Sequence, residues 1–79
     1  MTIVDLLARC LTDDDAAVRI YALRAIGTLK QTQYTGKVIP LLDDPLPNVA
    51  IEAVTTLGAL GGRRAVEALE QTLDTKKSY

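Results

Sequence analysis

The sequence predicts an all-α protein built as a solenoid of about five antiparallel helices. The main observation is an internal repeat, in which the twelve residues from Val18 recur in register from Val49 at a constant offset of 31. Five of the twelve positions are identical, and two more exchange one aliphatic residue for another. A fixed period of about 20–50 residues is typical of solenoids, whose repeats bury their apolar faces against each other. The same spacing relates Leu11, Leu42 and Leu73.

The chain is short enough for one domain, over residues 1–79. We expect repeat one at about 1–31, repeat two at about 32–62, a half repeat at about 63–74 and a polar tail at 75–79. The net charge of −1 argues against nucleic acid as a partner. No apolar run approaches the roughly 18 residues of a membrane span, so we expect no membrane partner and a cytoplasmic protein. Cys10 is expected to be a core thiol, because the chain has no histidine to activate it.

Local signals place the helices. We expect them over about 3–11, 16–29, 33–42, 47–60 and 63–73, with the tail after them frayed. Thr2 and an acidic residue of 13–15 are expected to cap the first two helices, and Pro47 fits the first position of the fourth. Pro40 should kink or divide the third helix, and the glycines at 61–62 should end the fourth.

Helical periodicity also predicts which side chains face the core. The expected inward positions are Val18, Ala22, Ala25, Ile26 and Leu29 in the second helix, Val49, Ala53, Leu57 and Leu60 in the fourth, and Val66, Leu69 and Leu73 in the fifth. Gly27 recurs as Gly58, and glycine inside a helix is unfavourable. The recurrence predicts close approach of a neighbouring helix at both positions.

These residues resemble the HEAT repeat, in the short form found in phycobilisome lyase subunits. The motif positions are Asp14, Val18, Arg19, Ala22, Ala25, Ile26 and Gly27, then Val49, Ala53, Leu57 and Gly58. The resemblance implies a right-handed α-α superhelix in which the family arginine, here Arg19, ties neighbouring repeats through an acidic partner. The second copy departs from the family, since Ala50 replaces that arginine and Thr56 replaces an alanine. The iron-binding HEAT enzymes need His-Glu pairs, which this chain lacks.

The clusters of charged residues are better explained by structural roles than by ligand binding or catalysis. The acidic residues at 13–15 and 43–44 fall at the same turn of the repeat, where helix capping explains them better than a cation site. The basic residues at 63–64 and 76–77 are better explained as a solvated face and tail than as a phosphate site. We therefore predict no catalytic residue, no metal site and no cofactor.

One face of the second and fourth helices carries both polar and apolar residues and is a candidate protein-binding surface. It comprises Ile20, Tyr21, Arg24, Thr28, Ile51, Glu52, Thr55 and Ala59. These positions are expected to point away from the core, and the resemblance implies that they line a concave surface. Apolar residues ringed by Arg24 and Glu52 are typical of an interface centre with a polar rim. The alternative is ordinary exposure of single apolar residues.

The first helix predicts a second contact. Its residues Ile3, Val4 and Leu6 belong to a surface too apolar for one packing partner, so we expect this end to be covered by a second copy or by a larger subunit.

The predicted function is a non-catalytic protein-interaction module, either a scaffold or an adaptor. Two alternatives remain: an accessory subunit of a phycobiliprotein chromophore lyase or isomerase, implied by the resemblance, and a self-assembling structural repeat protein.

Overall fold

The computed structural model describes the backbone of residues 2–77 and the side chains of residues 2 and 5–74. Within that range the chain is all-α, as predicted. Its helices are α1 (Ile3–Cys10), α2 (Ala16–Thr28), α3 (Thr35–Val38), α4 (Pro47–Leu60) and α5 (Gly62–Lys77). Short 3-10 helices, Thr32–Tyr34 and Ile39–Asp43, flank α3. Residues 32–43 thus form one interrupted helical element, called the broken segment below.

The predicted caps are confirmed where the helices begin. The Thr2 hydroxyl accepts a hydrogen bond from the Asp5 backbone N–H at 3.2 Å and so caps α1. The Asp15 carboxylate accepts from the Ala17 N–H at 2.9 Å and caps α2. Pro47 occupies the first turn of α4, where its missing N–H costs nothing. Local chemistry therefore fixes where these three helices begin.

The helix ends also follow local signals, with one exception. Pro40 lies in the broken segment, which is divided as predicted. Gly61 ends α4 with φ +68°, and its N–H donates to the Leu57 carbonyl at 2.9 Å. The predicted end of the fifth helix near residue 73 is too early, because α5 runs to Lys77. No glycine or proline follows Gly62 to stop this helix earlier.

The helices form two layers. Helices α2 and α4 lie side by side and share the most extensive packing in the protein. The broken segment and α5 pack on α4, and α1 packs on α2. The core between the layers is aliphatic except for one tyrosine, and its buried apolar members are Leu11, Ala22, Leu23, Ile26, Tyr34, Val38, Leu42, Val49, Ala53, Leu57, Leu60 and Ala65.

The core prediction holds for α4 and fails in part for α2 and α5. All four inward positions predicted in α4 are buried. In α2, Leu29 is exposed and Leu23 is buried instead, because Leu23 lies on the side that α4 covers. In α5, Val66 and Leu73 are exposed, whereas Ala65 is buried. Periodicity locates an apolar stripe but does not show which part of it has a neighbour.

Candidate protein-binding surface

The candidate surface is built on the contact between α2 and α4. A methyl group at Gly27 would lie 3.5 Å from the Ala59 Cβ and 3.6 Å from the Thr56 Cα, so the two helices approach closely there, as predicted. The same prediction is wrong for Gly58, where a methyl group would meet no atom within 4 Å among the described residues. The buried Thr56 hydroxyl donates to the Leu23 carbonyl at 2.9 Å, which satisfies a polar group inside this contact. The spacing of the two helices is therefore set by small side chains and one buried hydrogen bond.

A charged pair crosses this contact on its outer side. The Arg24 Nε donates to the Glu52 Oε1 at 2.9 Å. The arginine side chain is largely exposed, whereas the glutamate is mostly covered. An ion pair this open to water contributes little to stability, but it fixes the position of two charges on the surface.

Two shallow depressions follow the line between α2 and α4. The first has a volume of about 410 Å³ and the second about 270 Å³. Together they are lined by every residue of the predicted face except Tyr21. The structure thus brings together residues that the sequence placed on one face from periodicity alone.

The apolar members of the face differ in exposure. Tyr21 is 66% exposed and Ile51 is 63% exposed. Ile20 differs from the prediction, because it is half-buried and packs against the core. Ile20 and Ile51 are equivalent repeat positions that line the same depression, but the Ile20 side chain is half-buried whereas that of Ile51 is exposed. Tyr21 and Ile51 are therefore the large apolar side chains that a partner can cover.

Sequence reasoning missed several residues that line the depressions. They are Gly27, Lys30, Asn48 and Thr56. Lys30 lies beyond α2 in a left-handed conformation with φ +54°, and its Nζ donates to the Ala59 carbonyl at 2.9 Å. Lys30 can line the depression and reach Ala59 because the turn after α2 bends back towards α4. The repeat offset was an available signal, since Lys30 aligns with Gly61, a residue type that favours this conformation.

The predicted end contact falls partly outside the described residues. The side chains of Ile3 and Val4 are among those not described. Leu6 is an exposed apolar side chain, in keeping with a surface that lacks cover. Cys10 is a half-buried thiol packed against the core, as expected. The proposed covering of this end stays a prediction.

A second ion pair connects the two repeats near the helix starts. The Arg19 guanidinium contacts both oxygens of Asp44, with Nε–Oδ2 at 2.9 Å and Nη2–Oδ1 at 3.3 Å. Its Nη1 also donates to the carbonyls of Asp13 and Asp14. The side chains of Arg19 and Asp44 are both largely buried. This arginine therefore holds the turn before α2 and the turn before α4 together.

Asp44 titrates in an unusual environment. Its burial raises the pKa of the carboxyl group, but the hydrogen bond from the Leu46 N–H and the Arg19 guanidinium lower it by more. The net result is a pKa below the usual range for an aspartate. The ionised form of Asp44 is thus favoured in the folded protein.

The first acidic turn caps a helix as predicted, through Asp15 at the start of α2, but the capping prediction for residues 43–44 is wrong, because α4 begins without a side-chain cap. Asp13 accepts from the Asp15 N–H at 2.8 Å, and Asp44 accepts from the Leu46 N–H at 3.0 Å. Across the described part of the chain, no three His, Cys, Asp or Glu residues are grouped so that they could hold a metal ion. The recurrence of acidic residues at this turn is explained by backbone hydrogen bonds and by the Arg19 pair.

A family model described as HEAT repeats matches residues 3–79 of the sequence. The chain belongs to the HEAT repeat family. No curated protein matches the sequence. The family match covers HEAT repeats in general, so it supports the predicted fold and does not single out the phycobilisome-lyase form.

As a HEAT protein, the chain shows the arginine tie that the resemblance implied, between Arg19 and Asp44. Its second HEAT repeat has Ala50 at the equivalent position, so that repeat cannot supply a matching arginine. HEAT repeats typically mediate interactions between proteins and are generally non-catalytic. None of the helices in the described range combines the length and apolar character needed to cross a lipid bilayer.

Proposed function

We propose that this HEAT protein is a non-catalytic interaction module, a small scaffold or adaptor, that binds a partner protein on the concave face formed by α2 and α4. The observation that carries the proposal is the exposure of Tyr21 and Ile51 beside the Arg24–Glu52 pair. Large apolar side chains next to fixed charges are typical of interface anchors with a polar rim.

The chemistry of the face favours a folded protein or peptide as the partner. The Arg24 and Glu52 charges neutralise each other across 2.9 Å, so this pair selects for neither strongly acidic nor strongly basic ligands, and Lys30 adds one positive charge beside the larger depression. The larger depression is shallow and lined by small and polar side chains, including Thr28, Thr55 and Ala59. Such a surface offers contact area and hydrogen-bonding groups to a polypeptide, together with two apolar anchors.

The experiment compares what the wild type and three variants retain from a lysate of the native host. Tyr21→Ala and Ile51→Asp remove the proposed anchors, and Leu46→Asp is the matched control because Leu46 is also an exposed apolar residue but lines neither depression. We expect a protein retained by the wild type and by Leu46→Asp to be lost from both anchor variants. Mass spectrometry identifies the retained protein.

Calorimetry with that purified protein measures how much binding free energy each anchor variant loses. Loss of an interface anchor costs about 2 kcal/mol or more, equivalent to a dissociation constant raised about 30-fold. Circular dichroism should show unchanged helicity, since both anchor side chains are exposed. Normal binding by both anchor variants would place the interface elsewhere. Selective loss with Leu46→Asp would assign it to the turn before α4.

A further inference from the structure

Equivalent positions in the two repeats have different surroundings in the α2–α4 layer. Leu23 is completely buried, whereas its repeat equivalent Val54 is 42% exposed. A methyl group at Gly27 would contact α4, but one at Gly58 would meet no atom within 4 Å among the described residues. Val54 and Gly58 are one turn apart on α4. They carry the residue types of a packed helix face without a helix against it.

In the other layer, equivalent repeat positions also differ in burial. Leu11 and Leu42 are buried, and the third member of that series, Leu73, is 60% exposed. Thr35 is buried, and its equivalent in α5, Val66, is exposed. Val66 and Leu73 are seven residues apart and share one side of α5. Val54, Gly58, Val66 and Leu73 are called the open end face below.

The internal repeat shows what kind of element covers such a face. In the first repeat, Leu23 and Gly27 are covered by α4, through Thr56 and Ala59. Leu42, in the broken segment, packs beneath the same helix. The open end face is the same arrangement, advanced by 31 residues along the chain. It continues the α2–α4 interface and fits one further helix lying against α4 and α5.

We propose that the open end face binds an amphipathic helix of a partner protein, seated as α4 is seated on α2 and the broken segment. The packed face of α4 defines the chemistry of that helix. It has apolar residues at Val49, Ala53, Leu57 and Leu60, which is a spacing of i, i+4, i+8 and i+11, and a small residue at Ala59. The partner helix has apolar residues at the same spacing and a small residue opposite Gly58.

The recognition is apolar and not ionic. In the α2–α4 interface, Arg19 and Arg24 form ion pairs with Asp44 and Glu52. The repeat equivalents of the two arginines, on the helix that forms the open end face, are Ala50 and Thr55. Neither can form an ion pair with a helix seated there. The α4 side of the face therefore contributes no ion pair, and its apolar contacts are expected to persist at raised salt, which screens exposed charges.

A second copy of this chain fits the face less well than a single helix. The only helix of a second copy equivalent to α4 is α2, whose Leu29 is exposed and matches Leu60. However, α1 packs on α2 as the broken segment packs on α4. A second copy seated through α2 would bring its own α1 into the position that α5 occupies. A lone helix has no such conflict.

The test uses a stapled helical peptide with the sequence of residues 44–61 of this chain as the probe. The staple is placed on the side of the helix away from the packed face, so that helix formation does not limit binding. The full-length protein, labelled with 15N, is titrated with the peptide and followed by amide chemical shifts. We expect the largest shifts at Val54, Gly58, Val66 and Leu73.

Variants of the protein and of the peptide establish where the peptide binds. Val54→Lys in the protein, or Ala59→Trp in the peptide, should weaken binding about tenfold or more, because each puts a charge or excess volume into an apolar contact. Leu29→Lys is the matched control, an exposed apolar residue that follows α2 and lies outside the open end face, and should leave the affinity unchanged. Circular dichroism checks that each protein variant keeps its helicity.

Four results of the peptide titration would overturn the proposal, and a fifth result, without peptide, would do so as well. The four are no shift at Gly58 up to the solubility limit of the peptide, equal affinities for wild type and Val54→Lys, shifts confined to Tyr21 and Ile51, and loss of binding at raised salt. Shifts at Gly58 that depend on protein concentration without peptide would assign the face to a second copy and also reject the partner helix. The binding of a partner at Tyr21 and Ile51 is tested separately, so failure of one proposal leaves the other standing.

Discussion

Arg19 on α2 and Asp44 in the turn before α4 are joined by two hydrogen bonds, from Nε to Oδ2 at 2.9 Å and from Nη2 to Oδ1 at 3.3 Å. Asp44 is the repeat equivalent of Asp13, whose carbonyl accepts from the same guanidinium at 2.7 Å. One arginine therefore contacts two equivalent turns. The planar guanidinium suits this role because it presents several donors in fixed directions.

We predict that Asp44→Asn lowers the free energy of unfolding at pH 7 by about 1.5–3 kcal/mol, the usual range for a hydrogen bond to a charged group. The wild type should also lose stability as the pH falls below about 4. Folding lowers the pKa of Asp44, so in acid the unfolded chain binds a proton that the folded chain does not. The contribution is present at neutral pH and disappears as the carboxylate is protonated.

Urea titrations at several pH values measure both effects. Asp43→Asn is the matched control, since Asp43 is an exposed neighbour. We expect it to keep the stability and the acid dependence of the wild type. If Asp44→Asn kept the full acid dependence of the wild type, another carboxylate would be responsible for it.

The core makes a second prediction. Ile26→Ala and Leu57→Ala should each reduce the free energy of unfolding by about 2–5 kcal/mol, because both side chains are completely buried between the layers. Val54→Ala, at the exposed repeat position, should change it by about 0.5 kcal/mol or less. Urea titration of the three variants measures the difference. Losses below about 1 kcal/mol at both core sites would contradict the packing described here.

The sequence predicted well what depends on nearby residues. Helix starts at Thr2 and Asp15, the interruption near Pro40 and the end at Gly61 all follow from chemistry within a few residues. The 31-residue offset predicted the repeat architecture because equivalent residues form equivalent helices. The length of α5 was underestimated, since polar residues at its end are compatible with a helix as well as with a tail.

What the sequence could not predict is where each repeat has a neighbour. Leu23 and Val54 have the same helical position, but only Leu23 is covered. The candidate face was predicted as a set because its members share one side of α2 or α4. The half-burial of Ile20 and the position of Lys30 depend on how the two helices pack and on the turn between them, which periodicity does not contain.

The two repeat glycines give a third prediction. Gly27→Leu should lower the free energy of unfolding by about 1–3 kcal/mol, because a methyl group there already lies at contact distance from Ala59 and Thr56, so a larger side chain has to displace α4. Gly58→Leu should leave the stability unchanged or raise it, by up to about 1 kcal/mol, since leucine favours a helix over glycine. Thermal unfolding of both variants compares the positions directly. Equal losses would show that Gly58 is as crowded as Gly27.

The turn after α2 provides the last prediction. Lys30 has φ +54°, a left-handed conformation that costs most residues about 1–2 kcal/mol and that glycine adopts freely. The turn is secured by two backbone hydrogen bonds, from the Lys30 N–H to the Gly27 carbonyl at 3.2 Å and from the Gln31 N–H to the Ile26 carbonyl at 3.0 Å. Gly61, its repeat equivalent, has φ +68°.

We predict that Lys30→Gly is more stable than Lys30→Ala by about 1 kcal/mol, because only glycine relieves the left-handed backbone. Both variants lose the exposed hydrogen bond from the Lys30 Nζ to the Ala59 carbonyl, so their difference isolates the backbone term. Urea titration measures it, and Gly58→Ala serves as the opposite control, where alanine should be favoured by about 0.5–1 kcal/mol in a helix interior. Equal stability of the two Lys30 variants would mean that the turn does not hold residue 30 in the left-handed region.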